Sequence, residues 1–166
     1  MTSYTSIANI DTIPLLAAYS AVEKDINWLL NNRDGRQCGI QYREGEDPFT
    51  SATGRFRPDV SEKEYNLINP LFKGTVFEEV INKYNLFRTR LMWTGPRTCY
   101  SLHKDASKRI HIPLITNDQC LFVFTEPTEM CHLSAGEVFI VDTTKTHSFC
   151  NFSDKLRLHL MGCVDV

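Results

Sequence analysis

The sequence predicts a mainly β, α+β fold: a β-sandwich or small barrel carried by the C-terminal half, with helices from the N-terminal half packed outside it. Three observations point there. Apolar residues recur at helical spacing in the first 85 residues, and from Phe87 onward the hydrophobic period changes to two, in eight short runs separated by Gly, Pro, Asp or Asn. The chain of 166 residues is long enough for one well-cored domain and too short for two to be expected. The expected organisation is therefore a single domain over 1–166, with a helical and loop part at 1–85 and a β core at 86–166.

The first element is a helix capped by Asp11 or Thr12, with Pro14 in its first turn and an apolar stripe of Leu15, Leu16, Tyr19, Val22, Ile26, Leu29 and Leu30. Ser61 with Glu64 and Thr75 with Glu78 match the capping box, which predicts two further helix starts. The second of these leads Val76, Phe77, Val80, Ile81 and Tyr84 along one face. Residues 43–59, REGEDPFTSATGRFRPD, are polar and punctuated by Gly and Pro, so they form a long loop. Such a loop is either a solvated surface segment or a lid, and Arg55 and Arg57 suit it to receive an anion. The strand runs are RTRLMWT, TCYSLH, RIHIPLIT, CLFVF, MCHL, EVFIVDT, THSFCNF and KLRLHLMGCV.

Composition narrows the function. Hydrophobic residues make up 42% and charged residues 23%, ordinary values that speak against disorder and repeat arrays. A formal charge of −2 gives no net attraction to nucleic acid or to an anionic membrane, and neither is an expected partner. The six cysteines are scattered without a CxxC pair, which argues against a zinc knuckle. With no signal-peptide pattern in residues 1–10 and no long apolar run, a cytoplasmic protein with reduced thiols is expected. The sequon Asn151-Phe152-Ser153 then means little.

The strand faces carry the chemistry. Ile110, Ile112 and Leu114 share one side and Arg109 and His111 the other; likewise Leu156, Leu158 and Leu160 oppose Arg157, His159 and Met161. A sheet with one dry and one wet face gives the same alternation, but a solvated face usually carries Thr, Ser, Lys and Glu. His103 and Asp105, two apart at a strand end, put an imidazole and a carboxylate on one side, and His147 is the best third ligand. Two histidines and a carboxylate form the facial triad of non-haem Fe(II) oxygenases; an HxD triplet alone also occurs in ordinary surface turns. Arg157, ten residues after His147, presents a planar fork that fits a carboxylate at two points. Its partner is either a ligand or an acidic side chain of the protein. His159 fits a core histidine, His132 a structural role, and Trp93, Phe122, Phe124 and Phe139 the core, while Tyr100 and Ser101 border the triplet.

HKD at 103–105, RIHIPL at 109–114, AGEVFIVDTTKTH at 135–147 and RLHLMGCV at 157–164 together resemble the aspartyl/asparaginyl β-hydroxylase family of 2-oxoglutarate- and Fe(II)-dependent oxygenases. The resemblance covers about residues 86–166. It implies a double-stranded β-helix, a squashed jelly roll of the cupin kind with the metal between its sheets, and a dioxygenase that hydroxylates a C–H bond of an amino-acid, peptide or other small substrate, consuming O₂ and releasing succinate and CO₂. It also implies His103 and His147 as iron ligands, Arg157 on the distal carboxylate of 2-oxoglutarate, and Arg109, His111 and Met92 lining the cosubstrate pocket. In the better-known animal members a glycine stands where this chain has Asp105, so Asp105 restores the full triad, and the substrate of those members is not carried over. Two alternatives remain: a cupin-type metalloenzyme that does not use 2-oxoglutarate, and a non-catalytic carboxylate-binding barrel.

Overall fold

A computed structural model describes residues 2–30, 35–54 and 57–166; Arg55 lies outside them. In chain order the elements are β1 (Tyr4–Asn9), α1 (Ile13–Val22), β2 (Leu29–Leu30), β3 (Gly35–Gly39), β4 (Gln41–Tyr42), β5 (Leu67–Ile68), α2 (Val76–Tyr84), β6 (Phe87–Thr94), β7 (Thr98–Cys99), β8 (Arg109–Ile115), β9 (Cys120–Thr125), β10 (Thr128–His132), β11 (Glu137–Val141), β12 (His147–Asn151) and β13 (Arg157–Cys163). Seven strands form a large sheet in the order β1-β11-β8-β13-β6-β3-β2, and four form a smaller one in the order β10-β9-β12-β7. The sheets face each other as a double-stranded β-helix, and the helices cover the outer face of the larger one.

That covering explains the alternation. Ile110, Ile112, Leu114, Leu158, Leu160 and Leu91 point outward into a core that also holds Leu15 and Tyr19 of α1 and Phe77, Val80 and Ile81 of α2. Phe122, Phe124, Phe139, Val141 and Phe149 fill a second core between the sheets. Both faces of β8 and β13 are thus buried, so the Arg and His face cannot be a solvated one. Among the described residues no helix is long and apolar enough to cross a membrane.

Several local expectations change. Helix α1 ends at Val22; after a single 3₁₀ turn, Ile26 adopts an extended conformation at φ −74°, ψ 121°. Leu29 and Leu30 therefore pair with Gln37 and Arg36 as a short strand. The capping box at Ser61 and Glu64 forms in full but closes only one 3₁₀ turn, Glu62–Glu64. Helix α2 starts as expected, the Thr75 side chain accepting from the Phe77 N–H, but Glu78 accepts from Gly74, one residue before the cap. The N-terminal part also gives β1, β2 and β3 to the large sheet, strands that its sequence pattern does not announce. Asn151 is fully buried and its amide donates to the carbonyls of Thr94, Gly95 and Lys155, which leaves the sequon no room for a glycan. All six cysteines are free thiols.

The short turn at Ser61 has a larger role than its length suggests, because it delivers Glu62 into the interior. Glu62 accepts from Arg88 Nη1 at 2.7 Å and from Arg109 Nη2 at 2.8 Å, and a further oxygen accepts from Ser107. Arg88 in turn donates to the carbonyls of Ala52 and Gly54, tying the 43–59 loop to the sheet. Burial alone would raise the Glu62 carboxyl, but the adjacent Arg109 charge and the hydrogen bonds from Ser107, Arg109 and Arg88 bring it down to about 2. A carboxyl held below its ordinary 4.5 stabilises the fold fully above that value, and the contribution is lost as pH falls toward 2. We therefore expect Glu62→Gln to cost on the order of 3 kcal/mol at neutral pH, since the buried Arg88 and Arg109 guanidinium groups lose the carboxylate they share. Urea unfolding at pH 7 and pH 3 checks this: the penalty should shrink at the lower pH, and a pH-independent penalty would show that the charge is not its source.

Candidate active site

The segment after β7 explains how the histidines meet. Residues 98–103 run antiparallel beside β12: Thr98 and Cys99 pair with Asn151 and Cys150, the Tyr100 N–H donates to Phe149 O, and His103 and His147 exchange backbone hydrogen bonds of 3.0 and 2.9 Å. Asp105 is then fixed by its N–H on Thr143 O at 2.8 Å. The ligand atoms of His103, Asp105 and His147 lie within 4.8 Å of one another, and the two imidazole centroids are 4.4 Å apart.

The orientation of the rings follows from their neighbours. His103 Nδ1 donates to Ser101 O at 2.8 Å, and His147 Nδ1 donates to Lys145 O at 2.9 Å. Because a carbonyl only accepts, Nδ1 carries a proton on both rings, so that in the neutral ring Nε2 is the nitrogen left with the lone pair a metal ligand requires. Burial lowers the pKa of His147 and keeps that ring neutral. Asp105 lies between this pair and Arg109, with Oδ2 3.5 Å from Arg109 Nε and 4.0 Å from His147 Nε2. His103 is exposed, Asp105 half-buried and His147 buried, so the triad forms a corner open on one side.

This corner opens on a cavity of about 850 Å³ between the sheets. Met92, Arg109, His111 and Arg157 all line it, as do Tyr100 and Ser101. Arg157 is buried, with its guanidinium carbon 3.7 Å from the Phe149 ring centroid, and it is hydrogen-bonded to His159 Nδ1. Among the described residues no carboxylate lies within ion-pair distance of it, and its Nε has no partner. Burial lowers its pKa to about 9, so it remains a cation at neutral pH and lacks an anion. His111 packs edge-on to Phe122 at 5.0 Å, and burial, followed by the charge of Arg157, holds its pKa well below the ordinary value.

Arg109 differs from Arg157 in one respect: its charge is already matched. Glu62 and Asp105 hold it, and Ser107 accepts a further hydrogen bond. Its lining role is thus partly one of holding Asp105. His159 lies in the wall beneath Arg157 and does not line the cavity. The sequence reading overlooked Arg88, Arg90 and Gln37, which also line the space. A usable signal existed, because Arg90 and Met92 share a face at period two in β6, just as Arg109 and His111 do in β8.

Comparison with known proteins bears on the family and on the fold. The model of the aspartyl/asparaginyl β-hydroxylase family matches residues 75–166. An L-proline cis-4-hydroxylase of Rhizobium meliloti (strain 1021) is 33% identical over 79 residues, 44% of this chain; the match spans 28% of that protein. An oxidoreductase of the 2OG-Fe(II) oxygenase family from Burkholderia pseudomallei superposes with a TM-score of 0.67 at 14% identity, covering 97% of this chain and 83% of its own. HygX from Streptomyces hygroscopicus, with nickel and 2-oxoglutarate bound, superposes with a TM-score of 0.58 at 10% identity, over 97% of this chain and 82% of its own. At these identities the structural likeness establishes the double-stranded β-helix.

Proposed function

The chain belongs to the aspartyl/asparaginyl β-hydroxylase family, and from that premise we propose that it is a non-haem Fe(II)- and 2-oxoglutarate-dependent oxygenase. It hydroxylates an unactivated C–H bond of an amino-acid, peptide or other small substrate, with O₂ consumed and succinate and CO₂ released. The observation that carries this reading is Arg157: a buried arginine with no acidic partner among the described residues faces the same cavity as three converging metal donors. A cation in that setting needs an anionic ligand, and a cosubstrate with a carboxylate at each end can span the space between it and the metal corner.

His103, Asp105 and His147 would hold the ferrous ion, and the donor set fits it: two neutral imidazoles and one carboxylate on a single face. When bound, iron and 2-oxoglutarate supply the oxidising power from O₂ through decarboxylation of the cosubstrate. The protein's own residues bind, orient and exclude water. The carbonyls of Ser101 and Lys145 fix the two rings, and Arg109 steadies Asp105. The Arg157 fork takes the distal carboxylate, aimed by its hydrogen bond to His159 and by the Phe149 ring beneath it. His111 and Met92 line the cosubstrate pocket, and Phe122 and Phe149 keep its wall apolar.

The test is direct. Purified protein supplied with Fe(II), 2-oxoglutarate and O₂ is expected to release succinate only when iron is present, and to do so faster with a substrate from a panel of amino acids and peptides. L-proline leads that panel because of the proline hydroxylase relative. Iron binding with no succinate under any condition would refute the proposal and favour a metalloprotein that makes no use of 2-oxoglutarate.

A further inference from the structure

Two thiols far apart in sequence, Cys99 and Cys150, stand directly opposite each other where β7 pairs with β12. The surrounding hydrogen bonds identify the kind of pair. The Tyr100 N–H donates to Phe149 O, and His103 and His147 exchange both of their backbone bonds, so His147 and Phe149 turn their peptide groups toward β7. Their neighbours Ser148 and Cys150 turn theirs toward β9, which makes Cys99 and Cys150 a non-hydrogen-bonded pair. Such pairs hold their Cα atoms about 4.5 Å apart with the side chains close together. That spacing falls inside the range of about 4.4 to 6.8 Å that a disulfide spans without backbone movement. Desolvation, followed by a hydrogen bond with the Cys150 thiol, raises the Cys99 thiol to about 11.

The pair lies on the outer face of the smaller sheet. His147 and Phe149 line the cavity, so strand alternation turns Ser148 and Cys150 away from it. Cys99 is exposed and Cys150 buried, and a reagent in solvent reaches Cys99 without entering the metal corner. The other four cysteines are arranged differently: Cys38 lies opposite Leu91, Cys120 opposite Asn151, Cys131 opposite Phe122, and Cys163 opposite Phe87 and Arg109. The position of the pair gives it leverage on the site. β7 is a short edge strand whose neighbour in the sheet is β12, and the chain that continues from it delivers His103. Between Tyr100 and His103 this segment takes three steps while β12 takes two, a bulge that loosens the pairing just before the ligand. His103 is then held by its backbone bridge to His147 and by its ring's bond to Ser101 O within the same segment. Fraying of this edge moves His103 away from His147.

We propose that Cys99 and Cys150 are a redox modification site, joining in a reversible disulfide that clips the His103 segment to β12. Its effect on metal binding rests on the oxygenase reading of the site; the bond itself does not. The oxidant is a low-molecular-weight disulfide such as oxidised glutathione. The Cys99 thiolate attacks one of its sulfurs and releases one glutathione, and the Cys150 thiolate then attacks the Cys99 sulfur of the mixed disulfide and releases the second. Two protein thiols are oxidised, one small disulfide is reduced, and the two S–H protons end on the two glutathione thiols released.

The experiment starts from the reduced, metal-free full chain, incubated with excess oxidised glutathione at mildly alkaline pH, where the raised pKa of Cys99 slows exchange least, then quenched with acid and alkylated. Mass spectrometry of a non-reduced digest should show the peptides of Cys99 and Cys150 joined, with the other four cysteines alkylated. The cross-linked protein should melt about 5 to 15 °C above the reduced one. It should also bind Co(II) about tenfold more tightly, because the His103 segment is already ordered. Dithiothreitol should reverse both changes, and Cys99→Ser should show neither. A glutathione adduct on Cys99 that does not resolve, a bond to a different cysteine, or no oxidation at all would overturn the site. A cross-link that leaves Co(II) affinity unchanged would overturn the clip. A protein that binds no Co(II) in either redox state overturns the metal reading, while the digest still decides the disulfide.

Discussion

Replacing His103 with alanine is expected to abolish Fe(II) binding at micromolar metal and to reduce iron-dependent succinate formation by more than about a hundredfold. Even residues that only support a ligand change metal affinity by about 10- to 100-fold, so the loss of a ligand itself should exceed that. The proposed site has three protein donors, and the remaining two, Asp105 and His147, lie on different segments. The substitution is informative because His103 is exposed and, among the described residues, its ring hydrogen-bonds to the Ser101 carbonyl alone, so the fold loses little. The backbone bridge to His147, made by N–H and C=O groups, is retained. Anaerobic Fe(II) titration beside a thermal melt of the metal-free protein checks both halves. An unchanged melting temperature with lost metal binding is the expected pair, and unaltered iron affinity would remove His103 from the site.

Arg157→Ala should leave iron binding intact and weaken 2-oxoglutarate about a hundredfold or more, the usual consequence of truncating one partner of a buried charge pair. A second signature separates this role from a structural one. Without a ligand, Arg157 is a buried cation with no anion among the described residues, which burdens the fold; its removal should leave the ligand-free protein no less stable, apart from the packing lost against Phe149. Added 2-oxoglutarate should raise the melting temperature of the metal-loaded unaltered protein and not that of the variant. Arg157→Lys keeps the charge but loses the planar fork, and an intermediate affinity is expected. Equal cosubstrate affinity in all three proteins would exclude the proposed contact.

Much of the core was legible because strand alternation is a local property. Ile110, Ile112 and Leu114 on one side, with Arg109 and His111 on the other, follow from the pleat alone, and each of the eight predicted runs overlaps one of β6–β13, though TCYSLH is a strand only at Thr98–Cys99. The N-terminal strands were not legible for an equally physical reason. β1 is an edge strand with mostly exposed side chains, and β3 reads GRQCG, so neither shows an apolar alternation. What places them in the sheet is backbone pairing, β1 to β11 and β3 to β6, which leaves no mark on side-chain type. The stripe assigned to α1 failed beyond Val22 because Leu29 and Leu30 satisfy helical spacing but bond to a strand.

The sequence by itself determined which residues could do chemistry: the HxD triplet, His147, and arginines in phase with histidines on strands whose other face is apolar. Only the tertiary structure decided which of those arginines are available. Glu62, 47 residues from Arg109 and 26 from Arg88 along the chain, is brought by one 3₁₀ turn to neutralise both, while among the described residues Arg157 and Arg90 are left without an acid. Side-chain direction follows from neighbouring residues on a strand, but charge balance in a buried space depends on distances through that space, and these exist only once the chain has folded.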